Sequence, residues 1–148
     1  MNDNCITIWN PNEQNSFFLE HVVGKTVVDV RTDNYENICF LFDDGSAIRM
    51  YHEQDCCEDV SIEDINGDLN DLIGAPILLA ELRTDTDCGG KNEYDDSYTW
   101  SFYTFRTIKC SVDIRWYGRS NGYYSETISI DYYPAGIEKT ARWDIKLF

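Results

Sequence analysis

The stretch TVVDVRTDNYENICFLFDDGSAIRMY, residues 26–51, holds three short apolar runs separated by turn residues, and that punctuation decides the fold. Thr26 to Arg31 and Asn37 to Phe42 alternate or cluster β-branched and aromatic side chains, as half-buried strands do. Asp43-Asp44-Gly45 then stands before Ser46 to Tyr51, and Asp-Gly between apolar runs is a strong hairpin signal. A meander of three antiparallel strands is predicted, with His52 at the exit of the third.

The same grammar extends outward. Ile77 to Arg83 reads as a buried strand introduced by Gly74-Ala75-Pro76. Tyr98 to Ile108, Ser111 to Tyr117 and Tyr123 to Tyr132 read as three long consecutive strands, turned at Lys109-Cys110 and at Arg119-Ser120-Asn121-Gly122. A last strand is predicted through Ala141 to Leu147. Between the two strand groups, Val60 to Leu72 has apolar Ile62, Ile65, Leu69 and Leu72 at helical spacing behind Ser61 and Asp64, interrupted by Asn66-Gly67. That pattern predicts one short helix, or two turns of helix. Thr84 to Asp96, polar and glycine-containing, is the expected mobile loop. The prediction is one α+β domain over residues 1–148, mainly antiparallel sheet with one or two short helices.

Composition sets the functional bounds. The 148 residues include 43% hydrophobic and 14% aromatic side chains, too many for a disordered acidic tail, and the formal charge is -15. Binding to nucleic-acid phosphates relies on Lys and Arg, so direct nucleic-acid binding is not expected, whereas metal ions and basic protein grooves are. No run approaches the roughly 18 apolar residues of a membrane span, and MNDNCITIWN lacks a secretory leader's basic and apolar regions, which gives a cytoplasmic expectation. The six cysteines are then expected to be reduced. Cys5 and Cys39 lie in apolar runs, where a thiol packs as a small hydrophobe.

His52-Glu53-Gln54-Asp55-Cys56-Cys57-Glu58 is the densest group of ligating side chains. Zinc favours thiolate and imidazole in tetrahedral arrangement, so His52, Cys56 and Cys57 lack one ligand of a closed site. Cys88, with conformational freedom from Gly89-Gly90, is the candidate fourth, and Cys110 or Asp55 would serve instead. Adjacent cysteines can face one ion only where the backbone turns. A Cys-His nucleophile oriented by Asp55 or His21 is a weaker alternative, and His21, beside apolar valines, reads as framework. Asp64, Asp68 and Asp71 could hold magnesium but read as a solvated face, and the EF-hand order is missing. For partner contact the candidates are the carboxylates Asp55, Glu58, Asp59, Glu63 and Asp64, with Trp116, Tyr117, Arg119, Tyr123 and Tyr124 at a predicted hairpin tip. Trp, Tyr and Arg are enriched at binding hot spots.

HEQDCCEDVSIEDINGDLNDLIGAPI, SYTWSFYTF and RWYGRSNGYYSE together resemble a family of small proteins carried by phages and prophages, over roughly residues 19–132. The resemblance implies phage context, and through it similarity to metal-binding type II anti-CRISPR proteins that act on Cas9. It carries over His52, Cys56 and Cys57 as metal candidates. Cys110 departs from the glycine expected at that hairpin, which weighs against it as a ligand. The expectation is a non-enzymatic inhibitor with a structural zinc, acting on a basic nucleic-acid-binding effector in the bacterial cytoplasm. The alternatives are a metal-dependent enzyme with an open coordination position and a structural phage protein without metal.

Overall fold

Strand pairing in the computed structural model, which describes residues 11–135, divides the chain into two four-stranded antiparallel sheets. The first contains β1 (Val27–Thr32), β2 (Ile38–Phe42), β3 (Ala47–Tyr51) and β8 (Ser129–Tyr133), in the order β1-β2-β3-β8. The second contains β4 (Asp59–Asn66), β5 (Leu79–Asp85), β6 (Ser97–Arg106) and β7 (Ser111–Ser120), in the order β4-β7-β6-β5. The predicted meander is there, and Gly45 turns it at φ 90, a value that favours glycine. The fold is α+β with strand predominating, as composition and pattern predicted.

Each sheet turns one face inward, and together these faces make one core. Ile38, Phe40, Phe42, Ile48 and Met50 meet Tyr103, Phe105, Val112, Ile114 and Trp116. Phe40 and Phe105 bridge the sheets edge to face, their ring centres 5.2 Å apart. Burial pushes the Cys39 thiol up to about 12, so this cysteine packs as a hydrophobe.

Helix α1 (Pro11–Val22) was not predicted; proline at its first position costs no hydrogen bond. It buries Leu19 and Val22 and lies against β5 and β8. Asn15 pins it: the side-chain amide donates to Tyr103 Oη (3.0 Å) and to the Ile128 carbonyl (2.9 Å), and its oxygen accepts the Ile130 N–H (3.1 Å).

Two predicted elements are corrected. Residues 59–66 are strand rather than helix, because Val60 and Ile62 bury against the core while β7 satisfies the backbone. A bulge between Ile62 and Asp64 shifts the register, so Ile65 also packs inward and the apolar spacing imitates a helix. Only Leu69–Leu72 is helical, a single 3-10 turn whose N-cap Asp68 accepts the Asn70 N–H. The second correction concerns Asn121-Gly122, which closes no hairpin. Gly122 does take φ 96, but the chain then crosses to the first sheet, where β8 pairs with β3. Gly118 permits that crossing: a Cβ there would collide with the Glu126 carbonyl passing over β7. The strand predicted at Ala141 to Leu147 and the apolar run containing Cys5 lie outside the described residues.

Candidate functional site

The link between the two sheets, residues 52–58, is organised around a carboxylate. Glu58 is 4% exposed, and its oxygens accept the N–H groups of Asp55 (2.8 Å) and Cys56 (2.9 Å) and contact His52 Nε2 at 2.7 Å. Burial works against ionisation here, but the hydrogen bonds from Cys56, His52 and Asp55 prevail and hold the carboxyl at about 2. His52 Nδ1 faces the Thr127 carbonyl at 2.8 Å. Both ring nitrogens therefore have a polar partner, which fixes the ring between Glu58 and Thr127. Cys56 and Cys57 are joined as a vicinal disulfide on the exposed side of the loop.

This geometry relocates the predicted zinc ligands. His52 points into Glu58 and Thr127, the sulfurs of Cys56 and Cys57 bond each other, and exposed Cys88 sits in a turn where its N–H donates to Asp85. Among the described residues no three His, Cys, Asp or Glu side chains gather as a metal requires. Zinc here would need both thiols reduced and His52 released from Glu58. Cys110, partly buried, lies near Thr107 Oγ1 at 3.9 Å. His21, expected to be framework, bonds the Phe17 carbonyl within α1.

The loop expected to be mobile is tied down. Residues 86–96 cross the outward rings of Tyr98, Trp100 and Tyr117: the Gly89 N–H donates to Tyr98 Oη (2.7 Å), Trp100 Nε1 donates to the Gly89 carbonyl (2.9 Å), and the Lys91 N–H donates to Tyr117 Oη (3.0 Å). Tyr117 in turn donates to Asp95. A Cβ at Gly90 would stand 2.7 Å from Tyr117 Oη, so glycine is what lets the backbone lie on the rings.

That loop, the 52–58 link and the start of β4 converge at one end of the second sheet, where Asp59 pairs with Arg119 and Ser97 with Ser120. Asp55, Asp59 and Asp96 are exposed there. Nearby cations are already engaged: Arg119 reaches Asp95 (3.1 Å) and Asp59 (3.4 Å), and Lys91 reaches Glu63 (2.7 Å). The Tyr117 hydroxyl and the Arg119 guanidinium hold the Asp95 carboxyl below the usual carboxylate range. Tyr94 and Tyr123, 84% and 82% exposed, flank the same end, and a cleft of about 190 Å³ there is lined by Cys57, Tyr94, Asp95, Asp96 and Arg119 among others.

The predicted contact residues divide accordingly. Asp55, Asp59, Asp64, Arg119 and Tyr123 are exposed, while Glu63 and Tyr124 are half-buried. Glu58, Trp116 and Tyr117 are corrected to interior positions. Trp116 points into the core at 1% exposure, and Tyr117 is roofed by the 86–96 loop. The predicted hairpin tip failed because β7 is a central strand whose end is crossed by residues 121–128. Asp96 and Tyr94 were not singled out from the sequence, since they become neighbours of Cys57 and Arg119 only when two distant loops meet.

A cavity of about 630 Å³ opens at the seam between the edge strands β1 and β4 and is lined by Val30, Thr32, Asn34, Ile65, Asp68 and Asn70 among others. No described helix is long and apolar enough to cross a membrane. The chain belongs to the family defined as a domain of unknown function, DUF7448, whose model matches residues 20–130. No curated protein and no solved structure matches the chain.

Proposed function

We propose that this protein is a non-enzymatic inhibitor, phage-encoded, that presents its acidic end to a basic nucleic-acid-binding groove of a Cas9-type effector and blocks nucleic-acid engagement. The observation that carries this reading is the gathering of exposed carboxylates from two separate segments, residues 55–59 and the 86–96 loop, at one end, where Arg119 and Lys91 are already paired. Uncompensated charge of one sign steers a protein towards a surface of the other and sets on-rate and specificity. Tyr94 and Tyr123 add rigid contact area with a polar tip beside those charges.

Affinity for a Cas9–guide RNA complex, measured at about 50 and about 200 mM salt, tests the reading. Binding is expected to weaken as salt rises, to compete with target DNA, and to fall on the order of tenfold in a variant carrying Asp55→Asn, Asp59→Asn and Asp96→Asn. Salt-independent affinity, or full affinity in that variant, rejects it.

A further inference from the structure

Away from the acidic end, the outward face of the second sheet carries its charges in an order set by strand register. Glu81, Thr104 and Asp113 lie side by side across β5, β6 and β7. One row along the strands, Arg83, Phe102 and Arg115 do the same. The Arg83 guanidinium lies over the Phe102 ring, 4.3 Å from its centre, and Arg115 lies 5.4 Å from the Trp100 ring centre with a long contact to Asp64 at 3.7 Å. Asp85 follows Arg83 on the same face of β5, and the Arg83 charge helps to lower the Asp85 carboxyl. On β5, β6 and β7, anions therefore form one row and cations resting on aromatic rings form the next, with Asp64 of β4 at the far end of the cation row.

We infer that this face binds a second copy of the chain, face to face, about a two-fold axis that runs parallel to the two rows and between them. Such an axis exchanges the rows and keeps the columns. Glu81 meets Arg83 of the second copy, Asp113 meets its Arg115, and Thr104 covers its Phe102. An overlay with strands running the same way would set like charges against each other. Three observations favour a second copy over another occupant. The pattern complements itself under a single two-fold operation, as an isologous interface requires. Within the two rows on β5, β6 and β7, Glu81 and Asp113 stand against Arg83 and Arg115, so self-contact here meets less of the repulsion expected of a chain with a charge of -15, with Asp64 and Asp85 left at the margin of the face. Arginine on half-buried aromatic rings is interface composition, and sheets stack face to face about 10 Å apart.

From strand spacing and rise, the uncovered part of the face measures about 400–500 Å² per copy, below the size of a standard stable interface, so a weak dimer in the micromolar range or above is expected. The antiparallel arrangement sends the two acidic ends in opposite directions and leaves both open.

Sedimentation equilibrium of the full chain, from about 10 to about 500 µM, tests this. The wild type is expected to associate reversibly to a dimer. Glu81→Arg alone and Arg83→Glu alone each place like charges opposite one another and should weaken dimerisation at least about tenfold. An equimolar mixture of the two variants restores opposite charges at both contacts and should dimerise again. This rescue also separates loss of contact from misfolding. A monomer throughout the range overturns the proposal and leaves the face to a different protein. Dimers that persist in both single variants, or a mixture that fails to associate, overturn it as well.

Discussion

Glu58 shows how one side chain changes meaning once its neighbours are in place. In sequence it is one more carboxylate in an acidic run, with nothing to separate it from Asp55 or Asp59. In the structure it turns inward, receives two backbone N–H groups and fixes His52. Its carboxyl, held at about 2, lies below the ordinary value near 4.3, so it stabilises the fold fully above about pH 4.5 and less as pH falls towards 2. Glu58→Gln is therefore expected to lower stability at neutral pH and to flatten its loss between about pH 4.5 and 2, as read from urea midpoints across that range. Parallel pH profiles for variant and wild type would show that the carboxylate is not the anchor of the loop. His52 and Cys56 were recognisable as a cluster from spacing alone. Their partners were not, because Thr127 lies 75 residues from His52 and arrives through the crossing to β8.

Elements were legible where local pattern and tertiary demand agree. β1, β2 and β3 have alternation, Asp-Gly punctuation and short-range pairing, and they fall within a residue or so of the prediction. β4 lacked that agreement, since a bulge gave its apolar residues helical spacing and pairing with β7 outweighed the cap-like Ser61 and Asp64. Helix α1 is anchored by Asn15, which no hydrophobic period announces. Asn15→Ala leaves Tyr103 Oη, the Ile128 carbonyl and the Ile130 N–H without that partner and is expected to cost about 2–3 kcal/mol. Chemical denaturation would measure it, and a cost under about 0.5 kcal/mol, the size of an ordinary surface change, would show that the helix is held by its apolar face alone.

For the whole molecule, a charge of -15 opposes compaction as well as self-contact. Raising salt from about 10 to about 200 mM at pH 7 is expected to raise the Tm, because screening relieves repulsion among exposed carboxylates more than it weakens the few surface ion pairs. A Tm that falls with salt would mean that pairs such as Arg119–Asp95 outweigh the repulsion. Composition, charge and the three-strand meander were determined by the sequence itself, because they depend on residue type and on neighbours a few positions apart. The division into two sheets, the inward turn of Glu58 and Trp116, the roof over Tyr117 and the assembly of the acidic end were decided only in three dimensions. Each joins segments far apart in the chain, and the steric and hydrogen-bonding demands that select them, such as the bare Gly118 beneath Glu126, exist only once those segments meet.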